Sequence, residues 1–126
     1  MLLKIIGQKV SEVIVGFTVT IRMGQSSEFE LQIEGEIDLR LPTGDIHHVT
    51  AEKYADIQPE LNAIVGSAVL AADADEVHGL VIDFESGNRI TIPVDQDYEA
   101  WNVTGPDGYR VISLPGGELA FWSAKN

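Results

Sequence analysis

Three carboxylates alternate along residues 95–99, where Asp95, Asp97 and Glu99 precede Trp101. In an extended segment, side chains two residues apart share a face at steps of about 6.6 Å, too far apart for all three to hold one ion. Two neighbours could still share a hard cation such as Mg²⁺ or Ca²⁺, or raise each other's pKa as an acid–base pair requires. Because no His or Lys lies nearby in sequence, a charged loop between strands is the competing interpretation.

The same segment is also a candidate partner site. Carboxylates beside a large aromatic ring suit a surface rich in Arg or Lys, because they accept charge-assisted hydrogen bonds while the ring adds contact area. The candidate partner-binding residues are therefore Asp95, Asp97, Glu99 and Trp101. In the alternative interpretation, the acids solvate a loop and the tryptophan packs in the core.

Two further clusters contain metal-ligand residue types. Adjacent residues on a strand face opposite sides, so His47 and His48 cannot readily chelate one ion. Residues 73–78 (DADEVH) fail as a calcium loop, because His78 stands where glycine is required and Phe84 stands where glutamate is required. The sequence therefore predicts a solvated acidic loop at 73–78 and no metal site.

The chain contains no cysteine, and no nucleophile elbow, phosphate-binding loop or His-Glu-x-x-His motif is present. We therefore expect a non-enzymatic binding protein without a catalytic residue or a cofactor. Two alternatives stay open: a small metal-assisted hydrolase that uses Asp95, Asp97 or Glu99, and a structural homodimer without a ligand.

The charge of the chain narrows the choice of partner. Twenty acidic and 8 basic residues give a formal net charge of −12. The basic residues are scattered singly, at Lys4, Lys9, Arg22, Arg40, Lys53, Arg89, Arg110 and Lys125. Binding to nucleic acid or to an anionic membrane needs clustered cations, so neither is expected, whereas a basic protein partner is permitted. No apolar run reaches the length of a membrane span and residues 1–6 lack a signal-peptide layout, so we predict a cytoplasmic location.

The periodicity predicts strands. Apolar residues alternate with polar ones along 17–23, 29–33, 37–41, 80–84 and 90–94, with turn residues between them. Further strands are expected at 46–50, 101–103, 109–114 and 119–122. One helix is expected near residues 57–65, with Asp56 as its cap, Pro59 in its first turn and Gly66 at its end, and residues 50–55 could add a separate helical turn. The predicted fold class is α+β, made mainly of antiparallel β meanders in two similar halves.

The two halves suggest an internal duplication within a single domain spanning residues 1–126. Gly7-x-x-Val10 matches Gly66-x-x-Val69, and the alternating residues 29–33 match 90–94. The repeated units would be residues 1–65 and 66–126. Generic hairpin patterning could also produce this similarity.

The last strand raises a question of self-association. Residues Leu119–Trp122 carry apolar side chains on both faces of a strand. Edge strands must be paired, covered or blunted with charge, and this segment has no charge. We therefore expect a homodimer that buries it.

Three C-terminal segments support a resemblance: Tyr98–Trp101 (YEAW), Gly105–Gly108 (GPDG) and Pro115–Trp122 (PGGELAFW). With these segments the chain resembles a small uncharacterised domain family of bacterial, actinobacterial-type proteins, some of which accompany toxin–immunity systems. The resemblance implies a stand-alone domain, in its most specific form an immunity-type protein that neutralises a basic partner. It implies no catalytic residues.

Overall fold

A computed structural model of the chain describes residues 1–123. Within that range it contains eleven strands and one short α-helix. The elements are β1 (Val10–Val15), β2 (Val19–Met23), β3 (Phe29–Ile33), β4 (Ile37–Arg40), β5 (Ile46–Val49), α1 (Gln58–Asn62), β6 (Val69–Asp75), β7 (Gly79–Phe84), β8 (Arg89–Ile92), β9 (Trp101–Thr104), β10 (Arg110–Ser113) and β11 (Leu119–Trp122). Lys125, one of the scattered basic residues, lies outside the described residues.

The strands form two antiparallel sheets, one of six strands in the order β1-β2-β3-β9-β10-β11 and one of five in the order β5-β4-β8-β7-β6. Alternation places the apolar side chains of each strand on one face of its sheet. These inward faces share one core, which contains Ile21, Leu31, Val103, Leu39, Ile82 and Ile90. The predicted α+β class with antiparallel meanders is confirmed.

The alternation did not predict β1 and β6, which are edge strands of the two sheets. Each contains a bulge near its start, between Val10 and Glu12 in β1 and between Val69 and Ala71 in β6. A bulge inserts one residue and breaks the period of two on which the prediction depended. As a result the prediction of an acidic loop at residues 73–78 was wrong in part, because Asp73 and Asp75 lie on β6.

Each sheet contains strands from both halves of the chain, which we call strand exchange. In the six-stranded sheet β1–β3 lie beside β9–β11, and in the five-stranded sheet β6–β8 lie beside β4 and β5. At the junction, Gly7 N–H donates to the Val69 carbonyl and Gly66 N–H donates to the Val10 carbonyl, each at 2.8 Å. Both glycines have a φ of +88°, which favours glycine over other residues. We propose that this reciprocal geometry arose by internal duplication.

The pairing corrects one detail of the sequence comparison. Leu31 pairs with Ile21, two residues before the end of β2, and Ile90 pairs with Ile82, two residues before the end of β7. Leu31 and Ile90 therefore hold equivalent positions, whereas the sequence comparison had matched Phe29 with Ile90. Each sheet contains strands from both halves, so neither half builds a complete sheet by itself.

The helical segment differs from the prediction over residues 57–65. A 3₁₀ segment, Ala51–Ile57, precedes α1, and Asp56 lies inside it rather than at a cap. Helix α1 has no side-chain cap hydrogen bond, but Pro59 does lie in its first turn. It stops early because tight bonds follow it: Ile64 N–H donates to the Leu61 carbonyl before Gly66 turns the chain. Across residues 1–123, no helix has the length and apolar character needed to cross a membrane.

Candidate functional site

Residues 93–100 connect β8 to β9 and carry the three predicted carboxylates. The segment forms a turn rather than a strand, because Asp95 Oδ1 accepts the backbone N–H of Asp97 at 2.9 Å and of Tyr98 at 3.0 Å. This is the local bonding by which Asp stabilises turns. The Asp95 carboxylate therefore holds its own loop. Because the backbone turns here, the side chains of Asp97 and Glu99 do not form a straight row with that of Asp95.

Trp101 lies in the core. It is the first residue of β9, pairs with Ile33 across the sheet and is 1% exposed. Its indole Nε1 is buried and has no hydrogen-bond partner within residues 1–123. Trp101 therefore offers no surface to a partner in this structure. The aromatic side chain that this loop presents to solvent is Tyr98, which is 73% exposed.

Four segments meet at the end of the molecule where β3, β6, β8 and β10 finish: residues 34–36, 75–78, 93–99 and 115–118. Together they contain eight of the 20 acidic residues and no Lys or Arg. We call this surface the acidic end; its acids are Glu34, Glu36, Asp75, Glu76, Asp95, Asp97, Glu99 and Glu118.

Backbone contacts fasten these segments together. The N–H groups of Glu34 and Gly35 donate to the Ala100 carbonyl at 2.9 and 3.0 Å, and Gly116 N–H donates to the Asp95 carbonyl at 2.8 Å. A groove of about 270 Å³ lies between Glu36 and the turn at Asp95. Except for Asp75, the last residue of β6, the carboxylates of the acidic end are thus carried on loops that the two sheets hold in place.

Gly117 brings the β6–β7 hairpin into this arrangement. Its φ is +101°, and a Cβ at this position would lie 2.4 Å from the Glu76 carbonyl oxygen and 3.0 Å from a Val94 methyl. Only glycine allows so close an approach. The turn at 115–117 can therefore pack between the hairpin and the 93–100 connection.

Large apolar side chains stand exposed around the carboxylates. Phe17, in the β1–β2 hairpin, is fully exposed, and Val77 and Tyr98 are 78% and 73% exposed. Phe17 borders a cavity that Tyr54 also lines, and the Tyr54 hydroxyl donates to the Gly35 carbonyl. Exposed apolar groups among charged ones are typical of surfaces that bind another protein.

Ionisation at this end follows from local bonding. The backbone N–H of His78, then the His78 side chain and the N–H of Val77, lower the pKa of Asp75 to about 2. Burial, followed by the charges of Glu34 and Glu52, raises the pKa of Tyr54 to about 12. At neutral pH Asp75 is therefore charged, and Tyr54 keeps the proton that it donates.

The two adjacent histidines behave as predicted for a strand. His48 pairs across the sheet with Asp38, whereas His47 pairs with Leu39 on the other face. The hydrogen bond and charge of Asp38, with a smaller contribution from Glu36, raise the pKa of His48. Within residues 1–123, no group of three or more His, Cys, Asp or Glu side chains is placed to hold a metal ion.

As a partner site, the sequence indicated only the 93–100 part of the acidic end, although it also predicted a solvated acidic loop at 73–78. It missed Glu34, Glu36, Glu118 and the exposed Phe17, because strand pairing brings these together from distant parts of the chain. One signal was available: because the repeat comparison matched residues 29–33 with 90–94, residues 34–36 correspond to the segment that begins at Asp95.

Fold and site together define an α+β domain of two strand-exchanged antiparallel sheets with an acidic loop surface at one end. The chain belongs to DUF6188, a family of unknown function whose model matches residues 1–123. The predicted resemblance to an uncharacterised domain family is confirmed to that extent. No curated protein and no solved structure gives a significant match.

Proposed function

We propose that the protein is a non-enzymatic binding protein whose acidic end engages a basic partner. The observation that carries the proposal is the gathering of eight carboxylates from four segments that contain no Lys or Arg. A surface of one sign attracts a partner of the opposite sign, speeds encounter and fixes orientation.

The exposed apolar side chains would supply the anchors of this interface. Charge alone gives encounter rate and selectivity, whereas aromatic residues that become desolvated contribute most of the binding energy. Phe17 and Tyr98 are highly exposed at the acidic end, so both can be buried against a partner at little cost to the fold.

The specific form of the proposal is an immunity-type protein acting in the bacterial cytoplasm. A nuclease toxin needs a basic groove, because cations that neutralise phosphates supply most of its affinity for nucleic acid. An acidic surface with protruding aromatic residues can cover such a groove. The resemblance of the C-terminal segments to proteins that accompany toxin systems supports this form.

The test removes charge without changing shape. The acidic-end variant combines Asp95→Asn, Asp97→Asn and Glu99→Gln; an asparagine at 95 keeps the side-chain oxygen that accepts the two N–H groups. Binding is measured by calorimetry against the product of the neighbouring gene, at several salt concentrations. We expect affinity to fall by tenfold or more, on the order of 1.4 kcal/mol, with a weaker salt dependence.

A matched control variant removes the same charge elsewhere. Asp45→Asn, Glu85→Gln and Asp107→Asn all lie in turns at the opposite ends of the strands and are exposed. Hen lysozyme serves as a generic basic probe. Equal losses in the two variants would show attraction by net charge alone, and unchanged binding in the acidic-end variant would remove the site; either result overturns the proposal.

A further inference from the structure

The strand β11 is an edge strand of the six-stranded sheet, and within residues 1–123 only β10 pairs with it. Its side chains carry no charge, and Phe121 and Trp122 are each 50% exposed. An edge strand presents a row of backbone N–H and C=O groups that another strand can pair with. Half-exposed aromatic residues on such an edge make it a docking surface for a strand.

The other three sheet edges are protected. β1 carries a bulge and Glu12, and β6 carries a bulge, two aspartates and a bridge to Leu2. β5 carries His48, which pairs with Asp38, and the 3₁₀ segment packs beside it. Bulges and charges of these kinds are how proteins prevent edge pairing. β11 has neither.

Cations lie beside this edge although the chain is acidic overall. The Arg110 guanidinium lies over the Trp122 ring at 5.8 Å, and Lys4 Nζ lies over the Tyr109 ring at 5.2 Å. Tyr109 in turn contacts Phe121 edge-to-face, with ring centroids 6.2 Å apart. Two copies that approach antiparallel through β11 therefore bring the cationic end of one edge towards Glu118 at the other end of the second copy's edge, which reduces the repulsion between two chains of net charge −12.

We propose that β11 pairs antiparallel with β11 of a second copy, about a two-fold axis that passes beside Ala120, and joins the two six-stranded sheets into one. Identical antiparallel strands are self-complementary, so the contact closes as a dimer rather than extending into a fibre. Phe121 then lies opposite the second copy's Leu119, and Trp122 lies opposite the second copy's Glu118.

The backbone supports this register. Leu114 N–H donates to the Glu118 carbonyl, so Glu118 directs its backbone groups towards β10. Because these directions alternate along an antiparallel strand, Leu119 and Phe121 direct their backbone groups away from β10. With Ala120 at the axis, these two residues face each other across the interface as a hydrogen-bonded pair, on both sides of the axis.

Charge complementarity favours this register over registers shifted by two residues, which have the same backbone directions. Arg110 is paired with Trp122 on the neighbouring strand, so the second copy's Glu118 lies two strands away, about 9.6 Å between Cα atoms at the usual strand spacing. Side chains of this length can meet over the tryptophan ring. Within one chain, Arg110 and Glu118 lie at opposite ends of the β10–β11 hairpin.

Light scattering and sedimentation equilibrium test the dimer. The wild-type chain is expected to be dimeric at high micromolar concentration, and Phe121→Glu is expected to be monomeric with an unchanged circular dichroism spectrum. Phe17→Glu is the matched control, because Phe17 is also an exposed phenylalanine but lies away from β11. A monomeric wild type, or a dimer that survives Phe121→Glu, overturns the proposal.

A charge swap tests the register. Arg110→Glu and Glu118→Arg should each raise the dimer dissociation constant, by about tenfold for a partly desolvated charge pair, and the double variant should restore it. Because the two residues are distant within one chain, restoration requires contact between copies. Failure of the double variant to restore the dimer refutes the register. Phe121→Glu should leave binding at the acidic end unchanged, so the two proposals fail separately.

Discussion

Two connections cross between the sheets at equivalent places in the two halves, and they differ in length. Residues 34–36 lead from β3 to β4, whereas residues 93–100 lead from β8 to β9. In the short connection, Gly35 is buried against Ala100, and its carbonyl accepts the hydroxyl of Tyr54. In the long connection, residues 96–98 are exposed, and the Asp95 carboxylate holds the turn by accepting two backbone N–H groups.

The difference in length between the two connections separates what the fold requires from what it tolerates. Three residues are enough to cross between the sheets, as the short connection shows. The additional residues of the long connection are therefore not needed to build the sheets. Loops of this kind, held by a rigid scaffold, are where binding groups concentrate. We infer that the short connection supports the fold and that the long connection is free to carry function.

The largest loss of stability is expected in the short connection, from Gly35→Ala. The added Cβ would lie 3.3 Å from both Cα and Cβ of Ala100, whose carbonyl is already held by two N–H groups. Overpacking of this kind typically lowers the free energy of unfolding by about 1–3 kcal/mol. Urea denaturation measures the loss.

The matched control is Gly16→Ala, where an added Cβ meets no atom within 4 Å. Its free energy of unfolding should change by no more than about 0.5 kcal/mol. If Gly35→Ala were tolerated equally well, the short connection would not be tightly packed against Ala100.

A smaller effect is expected within the long connection. Asp95→Ala removes the oxygen that accepts two backbone N–H groups and should lower stability by about 0.5–1.5 kcal/mol, whereas Asp97→Ala should change it by less than about 0.5 kcal/mol. Thermal and urea denaturation of the two variants give the difference. Equal losses would mean that Asp95 does not hold the turn.

The smallest effect on stability is expected from the ionisation of His48, which lies beside Glu36 of the short connection and Asp38 of β4. His48 Nε2 lies 3.6 Å from Glu36, and the pKa of His48 is raised chiefly by its hydrogen bond to Asp38. Because the folded-state pKa lies above the unfolded one, the added stability is complete below about pH 6.5 and is lost as pH rises through the folded-state pKa.

Urea midpoints measured from acidic to basic pH should therefore show a decline in the wild type that His48→Gln lacks. Asp38→Asn removes the main cause of the shift, so it should flatten the decline as well. A decline that persists in His48→Gln would assign the pH dependence to another group.

Much of the fold was predictable because its causes are local. Alternation in 29–33 and 80–84 reflects strands that are regular and half-buried, and the positive φ of Gly66 was expected from its place after an apolar helical run. The edge strands β1 and β6 were missed because their bulges interrupt the alternation. The α-helix was predicted to run to residue 65, whereas it ends at Asn62 because tight i→i−3 hydrogen bonds follow it.

The site was less predictable, because neighbours in space are not neighbours in sequence. The sequence indicated three carboxylates and a tryptophan at 95–101, but it could not show that Asp95 binds its own loop. Nor could it show that Trp101 turns inward: the direction of its side chain depends on the pairing of β9 with β3.

By itself, then, the sequence determined the fold class, the net charge and most of the strands, since these follow from composition and from a local period of two. Only the tertiary structure decided which strands share a sheet, and therefore which loops meet. Strand exchange between the halves brings residues 34–36, 75–78, 93–99 and 115–118 to one end, and no local pattern records that exchange. Its physical reason is long-range pairing: β3 pairs with β9 from the other half of the chain, and both strands place apolar side chains in the shared core.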